Sequence, residues 1–322
     1  MRILGCLAAV AVSGLLGVGT ANAAYPDRPI HYILHVSPGG ATDVLARKLG
    51  QGLKKVLGVP IVVENRPGGR GAAEMAVLTQ AHPDGYTIGS ATSTHLAEFH
   101  QTLKQYNLKS ISWIADLVDE PYLFAVNATS PIHTMAGLVK AIKAAPGKLV
   151  IAGFVRGSGA NIAWEMFMKA AGLPSNDVNW VPYNSVGSGV TAVVGGHGVA
   201  TVAYVGLVKD EVTAGKLRVI GILAKKRATE FPNVPTLTEQ GLKAPDSWVQ
   251  WRAIIGPKGI PQAIQQKLAN AVHTVLQDPD LQKYIRDDSL VESFRGPAAA
   301  TTFAEKQDKL TKKWLTQLGF VK

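Results

Sequence analysis

The sequence predicts an α/β protein in which short buried strands hand over to amphipathic helices, and three observations carry that reading. Uncharged runs of β-branched and aromatic residues alternate with stretches whose apolar residues recur every three to five positions, the signatures of buried strand and half-buried helix. Three strand-to-helix junctions are rich in glycine and serine, the places where ligand crevices gather in open α/β sheets. Once an N-terminal leader is set aside, about 300 residues remain, enough for two domains of ordinary size.

The leader opens Met1-Arg2, stays apolar over residues 3–18 and reaches Ala21-Asn22-Ala23. One basic residue, a short apolar core and an Ala-x-Ala site read as a secretory signal peptide cleaved after Ala23. Cys6, the only cysteine, leaves with it, so the mature chain has no disulfide framework and no thiolate for a metal or a nucleophile. No later apolar run is long enough to span a bilayer. The formal charge of +10 falls to +9 with Arg2, and only Lys225-Lys226-Arg227 and Lys312-Lys313 cluster. Without an aromatic-basic stripe, that pattern argues against a nucleic-acid partner.

In order, residues 30–36 read as a buried strand, and Val44, Leu45, Leu49, Leu53, Val56 and Leu57 give an amphipathic helix ended by Gly58. Residues 61–65 form a second strand, followed by the glycine loop 66–71 and a helix over 72–81. Pro83-Asp84-Gly85-Tyr86 is a turn into a strand over 86–90, and Ala91-Thr92-Ser93-Thr94-His95 ends that strand and opens a helix. Strands over 113–118 and 122–126 follow. The middle of the chain repeats the theme: helix 135–145, strand 149–154, glycine loop 155–161 and helix 162–171. Strand 178–183 then runs into loop 184–189 and helix 190–194. Strands over 199–205 and 217–223 flank a helix over 208–214, and residues 231–236 are a proline-rich crossing. The strand 248–255 precedes a helix from Pro261 with Ile264, Leu268, Val272 and Val275 on one face, and residues 301–318 close the chain as a helix.

The chemistry resides at the junctions. The first turn of a helix carries unpaired N–H groups and the positive end of the helix dipole. Gly39 and Gly40 have no side chain to block an anion's approach, so a carboxylate or phosphate can be cradled there by main-chain donors. The alternative is a tight turn in which Thr42 or Asp43 only caps the helix. Arg156 either points inward to pair with a distal carboxylate or is a solvated loop cation. Tyr183, Tyr204 and Trp164 either line an aromatic-tolerant cleft or belong to the core.

Enzymatic alternatives lack their parts. Gly69-Arg70-Gly71-Ala72-Ala73-Glu74 misses the third glycine of a dinucleotide fingerprint. Ser158 and Ser188 are not in a G-x-S-x-G elbow, which leaves an exported hydrolase without its nucleophile. His95, Glu98 and His100 fall on different faces of a helix, a poor metal site. No catalytic residue, metal ligand or cofactor is expected.

Several segments together resemble one family: Tyr25-Pro26-Asp27-Arg28-Pro29-Ile30, the Pro-Gly-Gly-x-x-Asp of Pro38 to Asp43, Val63-Glu64-Asn65-Arg66-Pro67-Gly68-Gly69 and Pro83-Asp84-Gly85-Tyr86-Thr87. Ala145-Pro146-Gly147-Lys148-Leu149, Val181-Pro182-Tyr183, Gly195-Gly196-His197, Ala214-Gly215-Lys216-Leu217-Arg218 and Pro232-Asn233-Val234-Pro235-Thr236 follow in the same order. The chain is similar to the substrate-binding receptors of tripartite tricarboxylate transporters, also called Bug-type receptors. That resemblance implies a two-domain type II periplasmic-binding-protein architecture, a Venus flytrap. Its first domain would comprise residues 24–124 and 245–322 and its second residues 125–244. It implies a periplasmic monomer that binds a small carboxylate without turnover and delivers it to separate integral-membrane permease subunits. A sensor domain is the alternative partner.

The ligand-binding residues expected from the junctions and the resemblance are Ser37, Pro38, Gly39, Gly40, Ala41, Thr42, Asp43, Thr92 and Ser93 on one side. On the other they are Arg156, Gly157, Ser158, Gly159, Ala160, Asn161, Tyr183, Asn184 and Tyr204. Two positions depart from the family pattern. His35-Val36-Ser37-Pro38 stands where many relatives carry two prolines or a Phe, and Asn161 stands where many carry a histidine.

Overall fold

The computed structural model describes residues 25–321, so the leader and its cleavage site lie outside the described residues. From β1 (Ile30–Leu34) the chain runs through α1 (Ala41–Leu57), β2 (Ile61–Asn65), α2 (Ala72–Gln80), β3 (Thr87–Thr92), α3 (Ser93–His100) and β4 (Ile111–Glu120). It crosses to β5 (Tyr122–Asn127), α4 (Met135–Ala144), β6 (Leu149–Phe154), α5 (Gly159–Ala170), β7 (Val178–Tyr183), α6 (Val186–Val194), β8 (Ala200–Ala203), α7 (Val205–Thr213) and β9 (Leu217–Leu223). It returns through β10 (Gln250–Pro257), α8 (Gln262–Leu276), α9 (Pro279–Asp287), β11 (Val291–Arg295) and α10 (Pro297–Gln317).

These strands make two sheets, ordered β11-β4-β10-β3-β1-β2 and β7-β6-β8-β5-β9. In the first, β1 pairs in parallel with β2 and β3, and β10 lies antiparallel between β3 and β4. In the second, β6 pairs in parallel with β7 and β8, while β5 lies antiparallel between β8 and β9. Only Pro121 separates β4 of the first sheet from β5 of the second, and residues 224–249 bring the chain back. The parallel strands deliver their carboxyl ends, with the glycine junctions, to the side where the two sheets face one another.

Helix α1 shows how the pattern becomes packing. Leu45, Leu49 and Leu53 are buried, Arg47, Lys48, Lys54 and Lys55 are not, and Gly58 closes the helix with its N–H on the Lys54 carbonyl. Trp164 is fully buried against Phe124, Phe167 and Trp180. It therefore belongs to the core of the second unit rather than to a cleft. Helix α10 touches both cores: Ala300 and Ala304 pack with Trp113 and Trp251 of the first unit, and Leu315 joins the cluster of the second.

The helices begin earlier than the sequence pattern predicts: α1 at Ala41 rather than Val44, α5 at Gly159 rather than Ile162, and α6 at Val186 rather than Val190. First-turn residues need make no intrahelical N–H bond, so small residues of low propensity are admitted there. The junction glycines thus stand at and within the helix starts. Helix α9 and strand β11 have no counterpart in the sequence reading, although Asp278-Pro279 is a helix-start signal, with Asp278 accepting from the Asp280 N–H.

Candidate ligand-binding site

At the first junction Gly39 is left-handed, with φ 80°, and its N–H donates to Asp43 Oδ2 at 3.0 Å. Asp43, the third residue of α1, also accepts from Arg47 Nε at 3.1 Å and from Asn65 Nδ2 at 2.9 Å. Burial pushes its carboxyl up, but the bonds from Arg47, Gly39 and Asn65 outweigh it and hold the group below the ordinary range. The Asp43 side chain therefore holds the loop in shape and turns away from any ligand.

The second junction uses the same device. Gly157 is left-handed, with φ 82°, and donates its N–H to Asn161 Oδ1 at 2.8 Å, four residues on at the third position of α5. Ser158 caps that helix by accepting the Asn161 N–H at 3.2 Å. Asn161 Nδ2 is left without a partner, although the residue is fully buried. At the third junction Ser185 caps α6 through the Ser188 N–H at 3.0 Å.

The first and third junctions meet, and the second packs against the start of α3. A Cβ added to Gly40 would stand 3.5 Å from Ser185 Cβ, and one on Gly187 would stand 3.3 Å from the Gly39 carbonyl. Gly159 donates its N–H to Thr94 Oγ1 at 3.4 Å, and its carbonyl accepts from Trp248 Nε1 at 3.0 Å. Between the first and third junctions is a cavity of 20 Å³, lined by His35, Val36, Gly40, Ala41 and Thr42 from the first unit, Phe154, Ser185, Val186 and Tyr204 from the second, and Gln250 of β10. That is room for about one water molecule.

Four of the expected ligand residues line this cavity: Gly40, Ala41, Thr42 and Tyr204. Thr92 is buried and spends its hydroxyl on capping α3, accepting from the Thr94 N–H. Ser93 donates to Gln250 Oε1 at 2.5 Å and lies 3.3 Å from the Tyr122 hydroxyl, on the contact between the units. Gly157, Ser158, Gly159, Ala160 and Asn161 are buried beside that contact, while Ser37 and Tyr183 are half-buried. Pro38, Gly39, Arg156 and Asn184 are exposed. Arg156 is thus a loop cation in this structure, with Glu165 in its field, and it does not line the cavity. Phe154, Ser185 and Gln250 are lining residues that the sequence reading missed; the Ser185 capping position was the available signal.

Behind the cavity wall lies Arg252, the only buried Lys or Arg among the described residues. Its Nε reaches Thr42 Oγ1 at 3.3 Å, its guanidinium carbon lies 5.2 Å from the centre of the Tyr204 ring, and its terminal nitrogen is 2.5 Å from Glu120 Oε2. Burial pushes the Glu120 carboxyl up to about 7, with Arg252 opposing that shift.

His35, Glu74 and His95 are buried together with ligand atoms within 4.8 Å of one another, a geometry that admits a metal ion. Their hydrogen bonds assign them otherwise. His95 Nδ1 accepts the Thr92 N–H at 3.2 Å, so its proton is on Nε2, which donates to Glu74 Oε2 at 2.9 Å. A metal at Nε2 would need that proton removed from a ring already accepting at its other nitrogen. His35 Nδ1 lies 3.0 Å from Ser90 Oγ, which itself donates to Glu74 Oε1 at 3.0 Å. Burial raises the Glu74 carboxyl, but the bonds from His35 and His95 overcome it and bring the group down to about 2. The cluster ties the ends of β1 and β3 to α2 and α3 behind the first junction.

With this geometry in place, comparison with known proteins defines the class. The periplasmic binding protein BugD has a TM-score of 0.85 at 23% identity, covering 92% of this chain and 99% of that one. MatC from Rhodopseudomonas palustris, solved with bound malate, has a TM-score of 0.84 at 23% identity, covering 90% and 100%. The fold is that of the periplasmic binding proteins, two α/β units each built on its own sheet. The profile of the tripartite tricarboxylate transporter family receptors matches residues 45–319. BugT from Bordetella pertussis is 30% identical over 300 residues, covering 92% of this chain and 87% of BugT. The chain belongs to the tripartite tricarboxylate transporter receptor family. Among the described residues no helix is long and apolar enough to cross a membrane.

Proposed function

We propose that this protein is a periplasmic receptor that closes two lobes over a small carboxylate, without chemical turnover, and hands it to a separate membrane permease. The lobes are residues 24–124 with 245–322, and residues 125–244, with the first crossing drawn back to Pro121 because residues 122–124 belong to β5 of the second sheet, following export with cleavage after Ala23. The observation that carries the reading is the convergence of two helix starts, glycine-led α1 from one sheet and serine-capped α6 from the other, on one small cavity. Their unpaired N–H groups and dipoles favour an anion without any fixed countercharge. The malate held by MatC, a protein of the same fold, is an anion of the expected kind.

A cavity of 20 Å³ admits no dicarboxylate, so entry requires the lobes to part about Pro121 and the returning segment. Ligand then occupies the space between the junctions, and closure removes water from around its charge. Thermal unfolding of the mature chain against carboxylates, phosphates and neutral sugars tests this, because a ligand that binds only the folded state raises the midpoint by mass action. A rise with a subset of carboxylates, recovered chemically unchanged, supports the receptor reading. A rise with phosphates or sugars alone refutes the carboxylate assignment.

A further inference from the structure

We propose that Arg252 anchors a second anionic group of the ligand, with Glu120 as the internal carboxylate that holds the guanidinium until the ligand arrives. The inference rests on the receptor reading and narrows it to ligands that carry two anionic groups. It begins from a topological fact: Arg252 and Thr42 belong to the first lobe, while the Tyr204 ring that covers them starts α7 of the second. Parting the lobes takes Tyr204 away and leaves the guanidinium facing the open cleft beside Thr42 and Gln250, both of which line the closed cavity. The junctions of α1 and α6 meet on the same cavity, so an anion held at the helix starts has a fixed cation within the same cleft.

Burying an arginine is costly, and the structure offsets that cost with one charged partner, Glu120 of β4, in an ionic contact whose facing atoms lack hydrogen-bond geometry. A planar guanidinium with five donors, of which few are used here, suits a bidentate carboxylate. Glu120 is a weak holder for it. The charged groups facing Glu120 are Arg252 from β10, which lowers its pKa, and Asp288 beyond α9, which raises it; Asp288 is itself paired with Lys209 of α7. A ligand carboxylate that takes over the Arg252 donors removes the favourable contact and adds a negative charge nearby. Glu120 then takes a proton from the buffer as the ligand binds.

The test uses matched pairs that differ by one carboxylate: adipate against hexanoate, and succinate against butyrate. In the parent protein the dicarboxylate of the preferred length should bind at least about tenfold more tightly than its partner, the scale of one charge-assisted bidentate contact. Calorimetry at pH 7.5 in HEPES and in Tris, whose ionisation enthalpies differ, should show net proton uptake with the dicarboxylate and none with the monocarboxylate. Arg252→Gln should collapse the affinity ratio towards one, whereas Glu120→Gln should raise dicarboxylate affinity and abolish the proton uptake. Arg252→Gln strands a buried carboxylate, so Glu120→Gln combined with Arg252→Gln removes both charges and should show the same collapse. Tight dicarboxylate binding with no proton uptake, or an unchanged ratio in the double variant, overturns the anchor and leaves the receptor reading standing. No binding by either member of either pair, with none in the wider carboxylate panel, overturns the receptor reading and this inference with it.

Discussion

A single methyl group placed at Gly159 should wedge the lobes apart. An added Cβ would stand 2.2 Å from Ser93 Oγ and 2.2 Å from the Tyr122 hydroxyl. Ser93 lies in the first lobe and Gly159 and Tyr122 in the second, so the clash with Ser93 falls on the contact that closure makes, while the clash with Tyr122 lies within one lobe. The atoms must separate by about 1 Å to regain van der Waals distance, and the neighbouring bonds from Trp248 to the Gly159 carbonyl and from Gly159 to Thr94 limit any local escape. Overpacking of this kind costs about 1–3 kcal/mol. The share that falls on the Ser93 contact is charged against the closed state alone, up to roughly a 150-fold loss of ligand affinity, and the share that falls on Tyr122 lowers the stability of both states. Local helix propensity works in the opposite direction, since alanine is better than glycine in a helix by up to about 1 kcal/mol. Titration calorimetry with the best carboxylate of the panel, together with small-angle scattering of the ligand-loaded protein, reads both effects. The expected result is weaker binding and a larger radius of gyration in Gly159→Ala. Parent-like affinity with a higher melting temperature would refute the wedge and leave only the propensity effect.

Gly40→Val should weaken carboxylate binding at least about tenfold while leaving the melting temperature within a few degrees, because its Cβ meets the Ser37 carbonyl, Ser185 and Val36, and clears all three by 3.3 Å or more; parent-like binding would place the anion elsewhere. Asp43→Ala removes the acceptor for Gly39, Arg47 and Asn65 and should cost about 1–3 kcal/mol in urea unfolding, with Asp43→Asn recovering part of it. Acid should destabilise the fold in two stages. His35, whose pKa burial lowers from 6.5, must stay neutral in the folded state, so stability begins to fall as pH drops below that value. Glu74, at about 2 against an ordinary 4.5, contributes stability that is complete above 4.5 and is lost as pH falls towards 2. Urea midpoints at pH 7, 5 and 3 check this, and Glu74→Gln should flatten the lower stage.

The alternation of strands and helices and the position of the glycine junctions were legible because both are local. Val44, Leu45, Leu49 and Leu53 announce α1 by spacing alone, and Gly58 ends it. The helix starts were read three or four residues late, because the same glycines and serines that signal a loop also fill a first turn. What the sequence hid is tertiary. Spacing alone sets His95 beside Glu98 and His100 on its own helix, whereas it bonds Glu74 and packs edge-on against the His35 ring, both on other elements. His100 instead meets Asp308 of α10, and Glu98 meets Thr102 and Arg70. Arg252 is the only charged residue of β10, and nothing near it in sequence announces Glu120, which reaches it only because β10 pairs with β4.

The matching loops of Gly39 with Asp43 and Gly157 with Asn161 have a consequence for how such receptors diversify. In each loop the residue that fixes the backbone points back to its own glycine, so shape is kept by one set of atoms while other positions on the same loop face the cleft or solvent. Ser37, Ala41 and Arg156 carry no comparable duty in holding the loop. Selection can therefore exchange what the cleft prefers without renegotiating how the junction folds. The fold itself persists at 23% identity, as BugD and MatC show.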